Sequence, residues 1–283
     1  MTTSYRANAT LPVRVELIRQ LRRRRTLVAY LLVIALPVMV SLAVKFGSNS
    51  GGSGRRLGSG SADLVGLATA GAANFTVTMF FFAAGFLLLV IVALFCGDTV
   101  ASEASWSSLR YLLAAPVPRR RLLRQKLIVG LALSLGAIAT LPIASFIIGL
   151  IAFGSGPLQS PVGATYTPVE ALWRIAAIGG FLFVALLFAA GVAFLMSVLT
   201  DAPLGAVGAA VILVIISNIL NAIEALGSLR EWLPTHFSQA WLDLLGSDVD
   251  WTNMARGAAY SIVAFAACVW YAVYRFDRKD VVS

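Results

Sequence analysis

The chain has 283 residues, 59% of them hydrophobic and only 12% charged, with a mean hydropathy of +0.86. A soluble domain carries roughly 25% charged residues, and no soluble core of this size could hide so much apolar surface. The composition therefore excludes a soluble protein and points to an integral membrane protein whose first partner is the lipid bilayer. The net charge of +9 points to no nucleic acid, because basic clusters in a membrane chain set topology against the anionic inner leaflet. Cys96 and Cys268 both fall in apolar runs and read as buried thiols rather than a disulfide or metal pair.

Residues 1–26 read as a short tip followed by an amphipathic interfacial helix, with Thr10 and Pro12 as start signals. Val13, Leu17, Ile18 and Leu21 fall on one side and Glu16, Arg19, Gln20 and Arg23 on the other, with Arg14 inside the apolar arc. The run Arg22, Arg23, Arg24, Arg25 is expected at lipid headgroups. A basic leader before a full-length apolar run, without a small-residue cleavage pattern, does not read as a secretory signal. The first span is expected at about 27–46, the ~20 residues that cross a hydrocarbon layer. Pro37 should kink it and Lys45 should snorkel outward. Gly47–Ser61 is a Gly/Ser-rich linker. It lacks the phosphate-loop spacing G-x-x-x-x-G-K-[ST], which occurs nowhere in the chain.

Leu64 to about Thr78 reads as an outer extension, and the second span is expected at about 79–97. The third is expected at about 127–153, with Pro142 as a kink site, followed by a Gly/Pro-rich turn over Gly154–Tyr166. Thr167-Pro168-Val169-Glu170 carries the signature of a capping box that starts the fourth span, about 171–199. Glu170 and Arg174 stand i, i+4 at its outer end, where they can pair. A fifth span is expected at about 204–222 and a sixth at about 254–274. Between them Phe237, Ala240, Trp241, Leu244 and Leu245 recur at helical spacing. That element is too short to span and is expected as a helix in the outer leaflet.

Six spans put both termini on one side. The N-terminal segment, the loop between spans two and three and the C-terminal tail hold 16 of the 22 Lys and Arg residues. The positive-inside rule then places these three segments in the cytoplasm. Arg far outnumbers Lys, as in a GC-rich bacterial genome, so a bacterial plasma membrane is expected.

Catalytic signatures are missing: no H-E-x-x-H, no G-x-S-x-G, no Cys/His cluster and no nucleotide motif. The single histidine, His236, reads as decoration of the outer loop. No catalytic residue, metal site or bound cofactor is expected, and the chain is not expected to be an enzyme by itself. Its energy would come from an ion gradient or from a partner. Ionisable residues are nearly absent from the spans, whereas an ion-coupled carrier usually holds some at mid-membrane. Ser217, Asn221 and Glu224, at i, i+4 and i+7, form a polar stripe near the outer end of the fifth span. It reads equally as the wall of a substrate path or as a set of interhelical hydrogen bonds.

The loop Asp98–Lys126 is the most distinctive stretch. Trp106, Leu109, Leu112 and Leu113 share one face of a short helix, with Glu103 before it and Arg110 beside it. Ala-Ala-Pro-Val-Pro stops that helix, and Arg119, Arg120, Arg121, Arg124 and Lys126 follow at the membrane surface. An apolar stripe in a polar loop needs cover, from the chain's own spans or from a groove on another protein.

This stretch resembles the coupling segment of ABC-2-type ABC transporter permeases: a Glu, a helix ending in Leu-Leu, a Pro, an Arg and a basic entry to the third span. Here these are Glu103, Leu112-Leu113, Pro116, Arg119 and Lys126. Ser107-Ser108 stands where members often carry Gly-Thr. The resemblance extends to the basic amphipathic elbow, the six spans, the short outer helix and the ending FDRKDV. It implies one transmembrane permease domain over 1–283, all-α, with a cytoplasmic coupling helix between spans two and three. The domain would pair with itself or a sister permease and be driven by a separate ABC ATP-binding subunit that holds ATP and Mg. Glu103, Trp106, Leu109, Arg110, Leu112 and Leu113 would then dock on that subunit. Arg22 to Arg25, with Arg119, Arg120, Arg121, Arg124 and Lys126, would anchor the pivot. Implied cargo is an amphipathic or apolar compound such as a drug, an antibiotic, a lipid or a lipid-linked product, as in multidrug efflux or antibiotic resistance. Two other classes stay open: an ion-coupled secondary carrier or channel that needs no ATPase, and a membrane scaffold that recruits a cytosolic protein.

Overall fold

In lipid, a single apolar segment satisfies its backbone groups within itself by becoming a helix, and the long apolar segments among the described residues do so. The computed structural model describes residues 13–47, 64–105, 118–160, 164–246 and 249–278. The helices are α1 (Val13–Leu21), α2 (Arg24–Gly47), α3 (Leu64–Thr69), α4 (Ala72–Phe82), α5 (Leu88–Ser105) and α6 (Arg119–Phe153). A two-stranded pair, β1 (Leu158–Gln159) and β2 (Thr165–Tyr166), then precedes α7 (Pro168–Ala185), α8 (Leu187–Leu199), α9 (Pro203–Ala222) and α10 (Trp251–Asp277). A single π-helical segment, Ala83–Leu87, joins α4 to α5.

Among the described residues six stretches are long and apolar enough to cross a membrane: Arg24–Phe46, Ala72–Glu103, Arg120–Phe153, Pro168–Leu199, Pro203–Ala222 and Trp251–Asp277. The chain is an all-α, multi-pass membrane protein. Its second and third spans run well past the expected limits of 79–97 and 127–153, because polar residues at their ends find partners inside the bundle. Ala72–Thr78, expected as an outer extension, is helical, wholly buried in the bundle and continuous with the helix that follows. Its small residues permit close helix contact. Thr76 and Thr78 donate their hydroxyls to carbonyls one turn back, each at 2.9 Å. Pro37 and Pro142 both lie inside unbroken helices.

Two ends of the bundle can be told apart. At one, here termed basal, α1 packs on α6, and Arg120 near the start of α6 pairs with Asp277 at the end of α10 at 2.8 Å. At the other, termed distal, Ala72 N–H donates to Gly154 O at 3.0 Å. The turn expected over Gly154–Tyr166 contains a short antiparallel pairing, Leu158 with Tyr166 and Gln159 with Thr165. Asn74 clasps it: its amide donates to Pro157 O, and its carbonyl accepts from Gln159 N–H, both at 2.9 Å. Gly71 is required there. Its φ is +150°, and a Cβ would lie 2.6 Å from the Gly156 backbone.

α5 runs through the centre, packed against α6, α8 and α9. Phe75, Phe80, Met79, Leu88, Leu141 and Phe194 are fully buried around it. By contrast Leu31, Met39, Ile212, Ile219, Val263 and Trp270 on α2, α9 and α10 are exposed. Such a surface suits hydrocarbon, not water.

The outer-leaflet helix expected near Ala240 is a 3₁₀ segment, Ala240–Leu245, preceded by another at Glu224–Trp232. It folds back on the bundle: Trp241, Leu244 and Leu245 are buried, with the Trp241 ring centroid 4.6 Å from that of Phe81. The capping box at the start of α7 is present, with Thr167 N–H donating to Glu170 at 2.9 Å and Glu170 N–H to Thr167 Oγ1 at 3.4 Å. That engagement explains why Glu170 and Arg174 do not pair as expected. Arg174 is buried, stacks 3.9 Å over Tyr166, and donates to the carbonyls of Leu244 and Gly246.

Candidate functional site

On α1, Glu16 and Gln20, one turn apart, are enclosed against α6 and Val13 and Leu17 pack on the core, while Val15, Ile18 and Leu21 are exposed beside Arg14 and Arg19. A helix at a membrane surface can expose apolar residues in this way because part of its surroundings is apolar. Glu16 meets two cations, Arg19 at 2.8 Å and Lys126 at 3.7 Å. Lys126 donates to Glu103 at 2.6 Å, and Arg19 reaches the same Glu103 oxygen at 2.5 Å. Gln20 donates to Glu16 at 3.0 Å and accepts from Arg25 at 3.1 Å. Arg25 also pairs with Asp98, which Arg23 approaches at 3.6 Å.

Three carboxylates and four cations thus form one cluster at the basal end. It joins α1 and the start of α2 to the ends of the two helices that flank residues 106–117. Isolated, each buried charge would cost several kcal/mol; together they compensate one another. Burial alone would raise the Glu16 carboxyl. The Lys126 ammonium and the hydrogen bonds from Arg19 and Gln20 outweigh it and hold the group below the usual carboxylate range. Burial likewise opposes the Arg19 charge, but bonding to Glu16 and Glu103 prevails and raises its pKa.

This placement corrects two expectations. Glu103, expected to face a partner, is buried and bonded within the chain. Lys126, expected at the headgroups, is its buried counter-ion. Of the other basic residues, Arg22, Arg24 and Arg124 are exposed, Arg120 pairs with Asp277, and Arg23 and Arg25 turn inward to Asp98. Arg121 is half-buried, and Arg119 opens α6. Trp106, Leu109, Arg110, Leu112 and Leu113 lie outside the described residues. Asp98, Glu16 and Arg19 were absent from the expected site. For Glu16 and Asp98 the signal was compositional, an acidic side chain flanking an apolar run in an otherwise basic region, and Arg19 stands one turn from Glu16 on the same helix.

At the distal end a cavity of about 410 Å³ lies between α4, the π segment, α5, α7, α8, α9 and the outer segment. Asn221 lines it and meets His236 Nδ1 at 2.6 Å. Ser217 is buried and bonds Thr235 at 2.7 Å. Glu224 leaves the expected stripe: α9 stops at Ala222, Ile223 is extended, and Glu224 is exposed in the next segment. The stripe is therefore two ties from α9 to the turn that holds Thr235 and His236 rather than a row of three. His236, expected as decoration, is a structural partner of α9 and part of the cavity wall. Among the described residues no three His, Cys, Asp or Glu side chains gather as a metal site.

The family model described as "Protein of unknown function (DUF2705)" matches residues 62–282. The chain belongs to this family. The matched stretch contains Asp98, Glu103, Lys126 and the whole distal cavity wall. Glu16, Arg19, Arg23 and Arg25 precede it. No curated protein matches the chain.

Proposed function

We propose that this chain is the membrane-spanning subunit of an ATP-driven exporter of the ABC-2 type, powered by a separate ATP-binding subunit. One observation supports the reading above others. The helices on either side of residues 106–117 are tied to each other by Glu103 and Lys126, and to α1 by Glu16 and Arg19. A displacement of that loop would be passed to both helices and to α1 together, because separating them would strand a buried charge. This is what a coupling element needs. The basal end is then cytoplasmic, as its basic residues favour, and Arg22, Arg24 and Arg124 rest at the headgroups of a bacterial plasma membrane. Trp106, Leu109, Leu112 and Leu113, with Arg110, dock on the motor. Glu103 is the positioning residue beneath them rather than a contact. A second permease copy or a sister chain completes the pathway for an amphipathic or apolar cargo.

The test is affinity capture of the tagged full-length chain from its native membrane, followed by ATPase measurement on the assembly. A Walker-motif subunit should co-purify, and Leu109→Asp should abolish stimulation of its ATPase. Transport by the purified chain alone under an ion gradient, with no such subunit recovered, would overturn the reading in favour of a secondary carrier.

A further inference from the structure

The distal cavity has a composition that neither the coupling reading nor the family match accounts for. Its lining is mixed: apolar side chains such as Phe81, Leu89, Leu182, Leu186, Phe188 and Val214 stand with the hydrogen-bonding Asn218, Asn221, Thr235, His236, Ser238 and Gln239. No carboxylate, lysine or arginine is among its lining residues. The volume, about 410 Å³, falls within the ~300–1,000 Å³ of small-molecule sites.

Two irregularities of the helices face this space. The π segment supplies Ala84 and Gly85, and the break between α7 and α8 supplies Ala185 and Leu186. Single π turns within α-helices recur at functional sites, since they widen a helix at some cost in hydrogen-bond geometry. Gly85 shows the space directly: a Cβ built there has no neighbour within 4 Å. The polar wall is fastened in place. Thr235 and His236 are bound to α9, and farther along Tyr166 and Ser160 hold Leu245 O at 2.7 and 2.5 Å. A cavity lined by both apolar and fixed hydrogen-bonding side chains suits one molecule with both characters.

We propose that this cavity binds an uncharged amphipath, its hydrocarbon body on the Phe81–Leu186 side and its hydroxyl or amide head beneath Asn218, Asn221 and Gln239. No ionised side chain lines the cavity to pair with a charged head, whereas the amides and hydroxyls can hydrogen-bond a neutral one. Pure hydrocarbon would make no use of the Asn218, Ser238 and Gln239 side chains. As a cargo site the cavity rests on the export reading, but occupancy is tested without the motor, so either can fail alone.

The experiment uses the purified full-length chain in phosphatidylcholine nanodiscs and three diazirine-bearing probes of equal chain length: decanol, decanoate and decylammonium. Cross-links are mapped by mass spectrometry. The alcohol should label Phe81–Leu89 and Thr235–Leu242 about tenfold or more above the charged probes. Gly85→Leu, which fills open space, should reduce that labelling by a similar factor. Asn218→Leu, which removes one polar group from the wall, should reduce it several-fold. Should Gly85→Leu fail to fold, Asn218→Leu decides. Equal labelling by all three probes, or labelling unchanged in a folded variant, overturns the proposal. Repeating the measurement after exhaustive delipidation separates sources, and both of its outcomes uphold the site. Increased labelling marks a bilayer lipid as the natural occupant, and unchanged labelling marks a free solute.

Discussion

Replacing Glu103 by Gln keeps the shape of the side chain and removes its charge. In the native cluster Glu103, only 4% exposed, takes Lys126 at 2.6 Å and Arg19 at 2.5 Å. The two cations are not equally affected. Arg19 is 44% exposed and keeps Glu16 at 2.8 Å, so water and a close carboxylate still serve it. Lys126 is 3% exposed, and its nearest remaining carboxylate is Glu16 at 3.7 Å. The cost therefore falls on Lys126. Removing one partner of a buried ion pair costs about 3–5 kcal/mol, and the residual Glu16 contact sets the expectation at the lower end, about 3 kcal/mol. Adding Lys126→Met removes the stranded charge, so the double variant should recover part of the loss, with a coupling of about 2 kcal/mol. Equilibrium unfolding of the full-length chain in mixed micelles of rising SDS content, followed by tryptophan fluorescence, measures all four species. A Glu103→Gln variant within about 0.5 kcal/mol of the native chain, or strict additivity in the cycle, would refute a buried lock at this position.

Three further outcomes are expected. Because the folded Glu16 carboxyl lies below its ordinary value, its contribution is fully present above the unfolded value of about 4.3 and is lost as pH falls through the lower folded value. The unfolding midpoint should accordingly fall below about pH 4.3 in the native chain, and Glu16→Gln should flatten that dependence. Arg174→Gln removes charged donors from the carbonyls of Leu244 and Gly246, at a cost of about 2 kcal/mol. Hydrogen exchange should then quicken over residues 240–246, and unaltered exchange there would mean Arg174 is no latch. Gly191→Leu should destabilise by about 1–3 kcal/mol, since a Cβ meets the Phe265 backbone at 3.0 Å, whereas Gly208→Leu, with nothing within 4 Å, should leave the melting temperature unchanged.

Hydropathy alone marks the six stretches able to cross a membrane, which the described residues form as helices, because the energy of placing ~20 apolar residues in hydrocarbon depends on local composition and needs no knowledge of neighbours. Helix starts were legible for the same reason. The box at Thr167–Glu170 is made within four residues, and the structure contains it. What the sequence left undecided is which charges face each other. Glu103 and Lys126 lie 23 residues apart, and Arg19 and Glu103 lie 84 apart. A residue's charge is the same whether it faces headgroups, a partner or a buried counter-ion, so a basic run reads as an anchor until the helices are packed. Arg174 shows the same limit: the i+4 spacing offered Glu170, but folding brought the Leu244 and Gly246 carbonyls and the Tyr166 ring within reach. The stripe Ser217, Asn221, Glu224 presumed a helix that continues two residues past the end of α9 at Ala222, where the chain instead turns and the outer segment meets Ser217 and Asn221. Tertiary structure decided these points because burial, which alone makes a charge or an amide demand a partner, is a property of the packed bundle and not of the residue.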